Sequence, residues 1–295
     1  MFAYIVEPLY VKNGQDVIAA DFYHPKNIER PPVILMAPEF ASLRHFKLAQ
    51  FAKRFARAGY AVVLFDYRYW GGSTGRPREL ISLDLQLEDW RMMIAHLSAR
   101  KSIDTTKIIL WGTGLSGGYV LQLAATLNNI HAVIAQVPFV DGNEYAKSYP
   151  IQYMAKALKR SSQDYMSAKI AIPSKKLAVV DPNGLCIFPT HEAYEGYLSI
   201  LNPDFYWSGE VPARVFFSLL KFRPILQVEH IKIPSLIIAA QHDRQMPVEV
   251  VRETVTNLAL HVEYHEWEMN HFDIYHGKNF EKAISTQLDF LSKLI

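Results

Sequence analysis

Residues 111–120 read Trp-Gly-Thr-Gly-Leu-Ser-Gly-Gly-Tyr-Val. Ile108, Ile109 and Leu110 precede them, and Val120, Leu121, Leu123 and Ala124 follow at helical spacing. A buried strand giving way to a helix needs a tight turn, which one glycine can supply. A lone serine set among further glycines asks for more. Gly114-Leu115-Ser116-Gly117-Gly118 has the spacing of a strained turn that holds a serine oxygen exposed at a strand end. In that reading Ser116 is a nucleophile, and the Gly117 N–H faces a developing oxyanion with the helix dipole behind it.

Working outward, residues 3–11 and 16–24 are rich in β-branched and aromatic residues around Asn13-Gly14, which predicts an antiparallel hairpin. Short apolar runs at 32–36, 60–65, 107–111, 132–137 and 235–240 predict buried strands, and 262–267 is expected to be a last strand. Between them lie helical patterns: Leu48, Phe51, Ala52 and Phe55, stopping at Gly59; Leu83, Leu87, Trp90, Ile94 and Leu97; residues 116–127; residues 247–260; and Phe280, Ile284, Leu288 and Leu291. The alternation predicts an α/β fold, a mostly parallel sheet flanked by helices. Residues 141–228 break the rhythm with many aromatics and are far longer than a loop. They are expected to form an inserted lid (cap) subdomain over the sheet's carboxyl edge, with the core at 1–140 and 229–295.

Half of the 295 residues are hydrophobic and the formal net charge is +2. That balance gives no footprint for nucleic acid, and no stretch is long and apolar enough for a membrane span. One cysteine, Cys186, permits no intrachain disulfide and argues against a cysteine metal site. With no secretory leader pattern, a cytoplasmic setting is expected. The sequence leaves a homodimer open.

A serine hydroxyl needs a base. His271 follows the last predicted strand, so it falls at the sheet's carboxyl edge; His276 is the second choice. Asp243 follows the strand before it and is suited to orient the imidazole, with Asp273 as a less favoured acid. The order Ser116, Asp243, His271 is one in which such triads occur.

The chain resembles the α/β-hydrolase fold superfamily, in particular dienelactone hydrolase, serine aminopeptidase-like hydrolases and polyketide-processing acyl hydrolases. The resemblance rests on residues 55–62, Phe65-Asp66-Tyr67-Arg68 leading to Gly72-Ser73-Thr74-Gly75, Leu87-Glu88-Asp89-Trp90-Arg91, the glycine-rich turn, residues 135–139 and residues 270–275. It implies an α/β-hydrolase fold and a Ser-His-Asp triad. One departure stands out: where such proteins carry His-Gly, this chain has Ala37-Pro38-Glu39. The resemblance maps the second oxyanion N–H to Glu39, or to Phe40 if the loop is offset by one. The Glu39 carboxylate then either points away or binds a cationic or hydroxylated substrate group.

These features together predict a serine hydrolase acting on a small-molecule ester or thioester with an apolar or aromatic acyl group, through an acyl-enzyme and without metal or organic cofactor. An acyltransferase or aminopeptidase on the same triad, and a non-catalytic binding protein on a hydrolase scaffold, are the alternatives.

Overall fold

A computed structural model describes residues 1–258 and 262–294. The chain opens with β1 (Tyr4–Asn13) and β2 (Asp16–Pro25), paired antiparallel through a two-residue turn at Gly14 and Gln15. The positive φ of Gly14 (61°) lets that turn follow the twist of its strands. β3 (Pro32–Ala37), α1 (Leu48–Arg57), β4 (Ala61–Phe65), α2 (Leu83–Ser98), β5 (Asp104–Thr113), α3 (Leu115–Thr126) and β6 (Ala132–Gln136) then alternate.

Between β6 and the resumption of that alternation lie α4 (Gly142–Lys147), α5 (Ile151–Lys169), β7 (Lys176–Val180), β8 (Cys186–Phe188), α6 (His191–Ile200), β9 (Glu210–Pro212) and α7 (Val215–Lys221). β7 pairs parallel with β8 and antiparallel with β9, giving this segment its own three-stranded sheet. β10 (Ser235–Ala240), α8 (Val248–Asn257), β11 (Val262–Trp267) and α9 (Gly277–Ser292) complete the fold. The predicted end of α8 at 259–260 lies outside the described residues.

The main sheet has eight strands in the order β1-β2-β4-β3-β5-β6-β10-β11. Its hairpin end is antiparallel and β4 through β11 run parallel. β3, β4, β6 and β10 are apolar and buried nearly throughout, because helices cover both faces. The predicted stripe on α1 is buried, and each such large side chain contributes roughly 1.5–3 kcal/mol. The parallel strands end on one edge, and from it project Glu39 after β3, Tyr67 after β4, Gly114 after β5, Val137 after β6, Asp243 after β10 and His271 after β11. Among the described residues no helix is long and apolar enough to cross a membrane.

Candidate active site

β5 runs two residues further than its apolar core, through Gly112 and Thr113, and α3 starts at Leu115. The turn between them is carried by Gly114, with φ 55° and ψ −122°, a conformation that costs an L side chain strain. Gly112 and Ser116 close against each other across it: a Cβ on Gly112 would lie 2.1 Å from the Ser116 carbonyl oxygen. Only glycine fits there. Gly112 is thus the residue that lets the turn close against the Ser116 backbone, and Gly114 is the residue it presents. A Cβ on Gly114 would stand 3.7 Å from His271 Nε2.

Ser116 leaves on another side, two positions and about 200° of helical rotation later. Its hydroxyl donates to the Pro38 carbonyl. It accepts from the Tyr67 hydroxyl at 2.6 Å, which in turn accepts from Trp90 Nε1 at 2.7 Å. Among the described residues no hydrogen bond joins Ser116 to His271, so the expected serine–histidine contact is absent from this arrangement.

The histidine–carboxylate pair does come together. His271 opens a short 3-10 turn after β11, and its Nδ1 lies 2.7 Å from Asp243 Oδ2. The other Asp243 oxygen accepts from the Gln245 and Met246 N–H groups at 2.7 and 3.1 Å, fixing the carboxylate at the loop leaving β10. His276 meets Ser199 Oγ instead, and Asp273 accepts from the Asn270 N–H, so neither second choice enters the site.

Glu39 occupies the space that Gly114 leaves open. Its side chain is buried, with Cβ 2.9 Å from where a Gly114 Cβ would be and Oε2 3.2 Å from His271 Nε2. It therefore does not point away: one of its oxygens is held by the protein's own imidazole. The Tyr275 hydroxyl donates to the same oxygen at 3.1 Å and is within 2.8 Å of Thr113 Oγ1. Gln136 and Gln287 continue this buried polar chain to Trp111 Nε1.

Both nitrogens of His271 face carboxylate oxygens, which accept only, so the contacts are met when both nitrogens carry protons. Burial works against the charged ring, but Asp243 and Glu39 outweigh it and hold His271 well above its ordinary pKa.

Two oxyanion expectations also change. Because the Pro38 carbonyl faces Ser116, the N–H of the same trans peptide, that of Glu39, is directed the opposite way. The Gly117 nitrogen lies against Gly112, 2.8 Å from where a Gly112 Cβ would be, and Gly117 does not line the cavity at His271, whereas Leu115, the first residue of α3, does. Phe40 lines that cavity too, and its carbonyl accepts from the Tyr197 hydroxyl at 2.8 Å. The cavity has a volume of about 10 Å³, between Glu39, Gly114, Leu115, Gln245, Met246 and His271.

Sequence reasoning missed Gly114 as the presented residue, and also Tyr67, Gln245 and Tyr275. A signal for the first existed: Gly112-Thr113-Gly114-Leu115-Ser116 has small residues at the same spacing, two positions earlier.

Comparison with known proteins gives a consistent fold. The family profile described as serine aminopeptidase, S33, matches residues 45–271. The quorum-quenching protein AidA of Acinetobacter baumannii is 32% identical over 289 residues, 94% of this chain and 91% of that protein. The thiohydrolase aneE of Aspergillus aculeatus is 22% identical, over 90% of this chain and 86% of its own. The crystal structure of the alpha/beta hydrolase GrgF from Penicillium superposes with a TM-score of 0.86 at 20% identity, covering 98% of this chain and 99% of that one.

Proposed function

We propose that this chain, which belongs to the serine aminopeptidase (S33) family of α/β hydrolases, hydrolyses a small-molecule ester or thioester at His271 and Asp243, without Ser116 as nucleophile. The observation that carries the reading is the 2.7 Å contact between His271 Nδ1 and Asp243 Oδ2, made by residues from two strand ends beside the strained turn at Gly114. Asp243 orients the imidazole, and the protonated ring gives its proton to the leaving group. The Leu115 N–H, in the first helical turn where N–H groups lack intrahelical partners, is the donor this reading assigns to the oxyanion, since Leu115 lines the cavity at His271.

Residues 141–228 act as the lid in this reading. Support comes from Phe188 and Leu219, which wall the cavity, and from α6, which packs on the turn carrying His271. The apolar walls suit an apolar acyl group, and the name of the thiohydrolase relative is in keeping with a thioester.

A second reading, binding without turnover, is favoured by the glycine at the turn. Hydrolysis of a panel of short p-nitrophenyl esters and acyl thioesters separates the two. Turnover that persists in Ser116→Ala and is lost in His271→Ala is the expected result. No turnover of any member by the wild type leaves the binding reading.

A further inference from the structure

Gly114 brings no side chain to His271, so some other group must make a nucleophile. The imidazole is unsuited to take a proton while both its nitrogens donate to carboxylates. Glu39 is differently placed. Its Oε2 is satisfied by His271 and Tyr275, but among the described residues its Oε1 is buried without a partner. The same is true of Gln245 Nε2, and both residues line the about 10 Å³ cavity at Gly114 and are more than nine-tenths buried. One acceptor and one donor without partners among the described residues thus belong to residues lining the same space, which has room for about one water molecule. Burying such groups unpaired costs about 1–3 kcal/mol each, so the pair is built for a hydrogen-bonding guest.

We infer that Glu39 is the general base of this site and, with Gln245, holds the water that attacks the substrate carbonyl directly. This rests on the hydrolase reading above and deepens it. Gln245 Nε2 donates to the water oxygen, and the water donates one hydrogen to Glu39 Oε1. As the new carbon–oxygen bond forms, that proton passes to Glu39 and the carbonyl electron pair moves to oxygen, opposite the Leu115 N–H. Collapse breaks the bond to the leaving group, which takes the proton on His271 Nε2. Glu39 then returns its proton to His271, restoring the pair. Substrate and water become acid and alcohol or thiol, and no acyl-enzyme forms.

The interlock at Gly114 explains why glycine stands there: any Cβ would press on Glu39.

Glu39→Gln keeps the size and removes the base. With whichever p-nitrophenyl ester the wild type hydrolyses, its kcat is expected to fall about 10²- to 10⁴-fold, the usual contribution of a positioned base, with KM little changed. Stopped-flow kinetics of the wild type should show no burst of p-nitrophenol, since no covalent intermediate accumulates. This readout needs no variant. Turnover that survives Glu39→Gln but not His271→Ala overturns the assignment and leaves the hydrolase reading standing. A burst accompanied by an acyl adduct on the protein overturns it as well. A wild type inert to every ester and thioester overturns both.

Discussion

At the scale of single residues, the chemistry turns on which carboxylates face one imidazole. His271 has Asp243 on one nitrogen and Glu39 on the other, and Glu192 adds a further carboxylate whose own pKa is raised, chiefly by burial. A histidine whose folded pKa is raised contributes stability that is complete below its unfolded value, about 6.5, and is lost as pH climbs through the folded one. Imidazole resonances should therefore show His271 still protonated well above pH 6.5, and Glu39→Gln should move its titration downward. The stability gap between wild type and Glu39→Gln should narrow as pH rises through that titration. A wild-type His271 titrating at its ordinary value would show that Glu39 does not hold the proton.

At the scale of elements, the strand-to-helix turn shows how much the sequence disclosed. The hairpin, the strand–helix alternation and the placing of Asp243 and His271 at strand ends were readable because periodicity and apolar runs report burial directly. The register of the turn was not. The apolar core of β5 stops at Trp111, yet backbone pairing continues to Thr113, where Gly112 and Thr113 pair with Ala135 and Gln136. Hydrophobicity is silent on those two residues, and a shift of two positions moves the presented residue from Ser116 to Gly114. Glu39 stands out in the sequence as a departure, but its direction depends on a tertiary fit with Gly114 that neither residue reveals alone. The turn's geometry gives its own test. Gly112→Ala places a Cβ 2.1 Å from the Ser116 carbonyl, against backbone that cannot move aside. Urea unfolding should show a loss at or above the roughly 1–3 kcal/mol typical of overpacking. A loss below about 0.5 kcal/mol, as at an ordinary surface position, would mean that the turn is looser than described.

At the scale of the whole molecule, the inserted segment and the core meet over a closed site. Ser116 and His271 are both buried, and the cavity of about 10 Å³ beside His271 is smaller than an acyl group, so the hydrolase reading proposed above has the two parts separate to admit substrate. The Tyr197 hydroxyl, from α6, donates to the Phe40 carbonyl, and Trp207 Nε1 donates to that of Ala41 at 2.7 Å. These bonds tie the insertion to the loop that carries Glu39. Tyr197→Phe strands a buried carbonyl at a cost of about 1–3 kcal/mol. Amide exchange in residues 38–46 should quicken in that variant while the central strands keep their protection. Unchanged exchange in the loop would show that this bond does not hold the site closed.

The central claim is that Gly114 stands at the nucleophile position and that Glu39 has taken the space. Its most direct test is labelling by a fluorophosphonate, read by peptide mass. The wild type is expected to remain unlabelled. The double variant Gly114→Ser/Glu39→Gly, which removes the crowding Cβ and sets a hydroxyl beside His271 Nε2, is expected to form an adduct at position 114. An adduct on Ser116 in the wild type, or a folded double variant that does not react, would contradict the account.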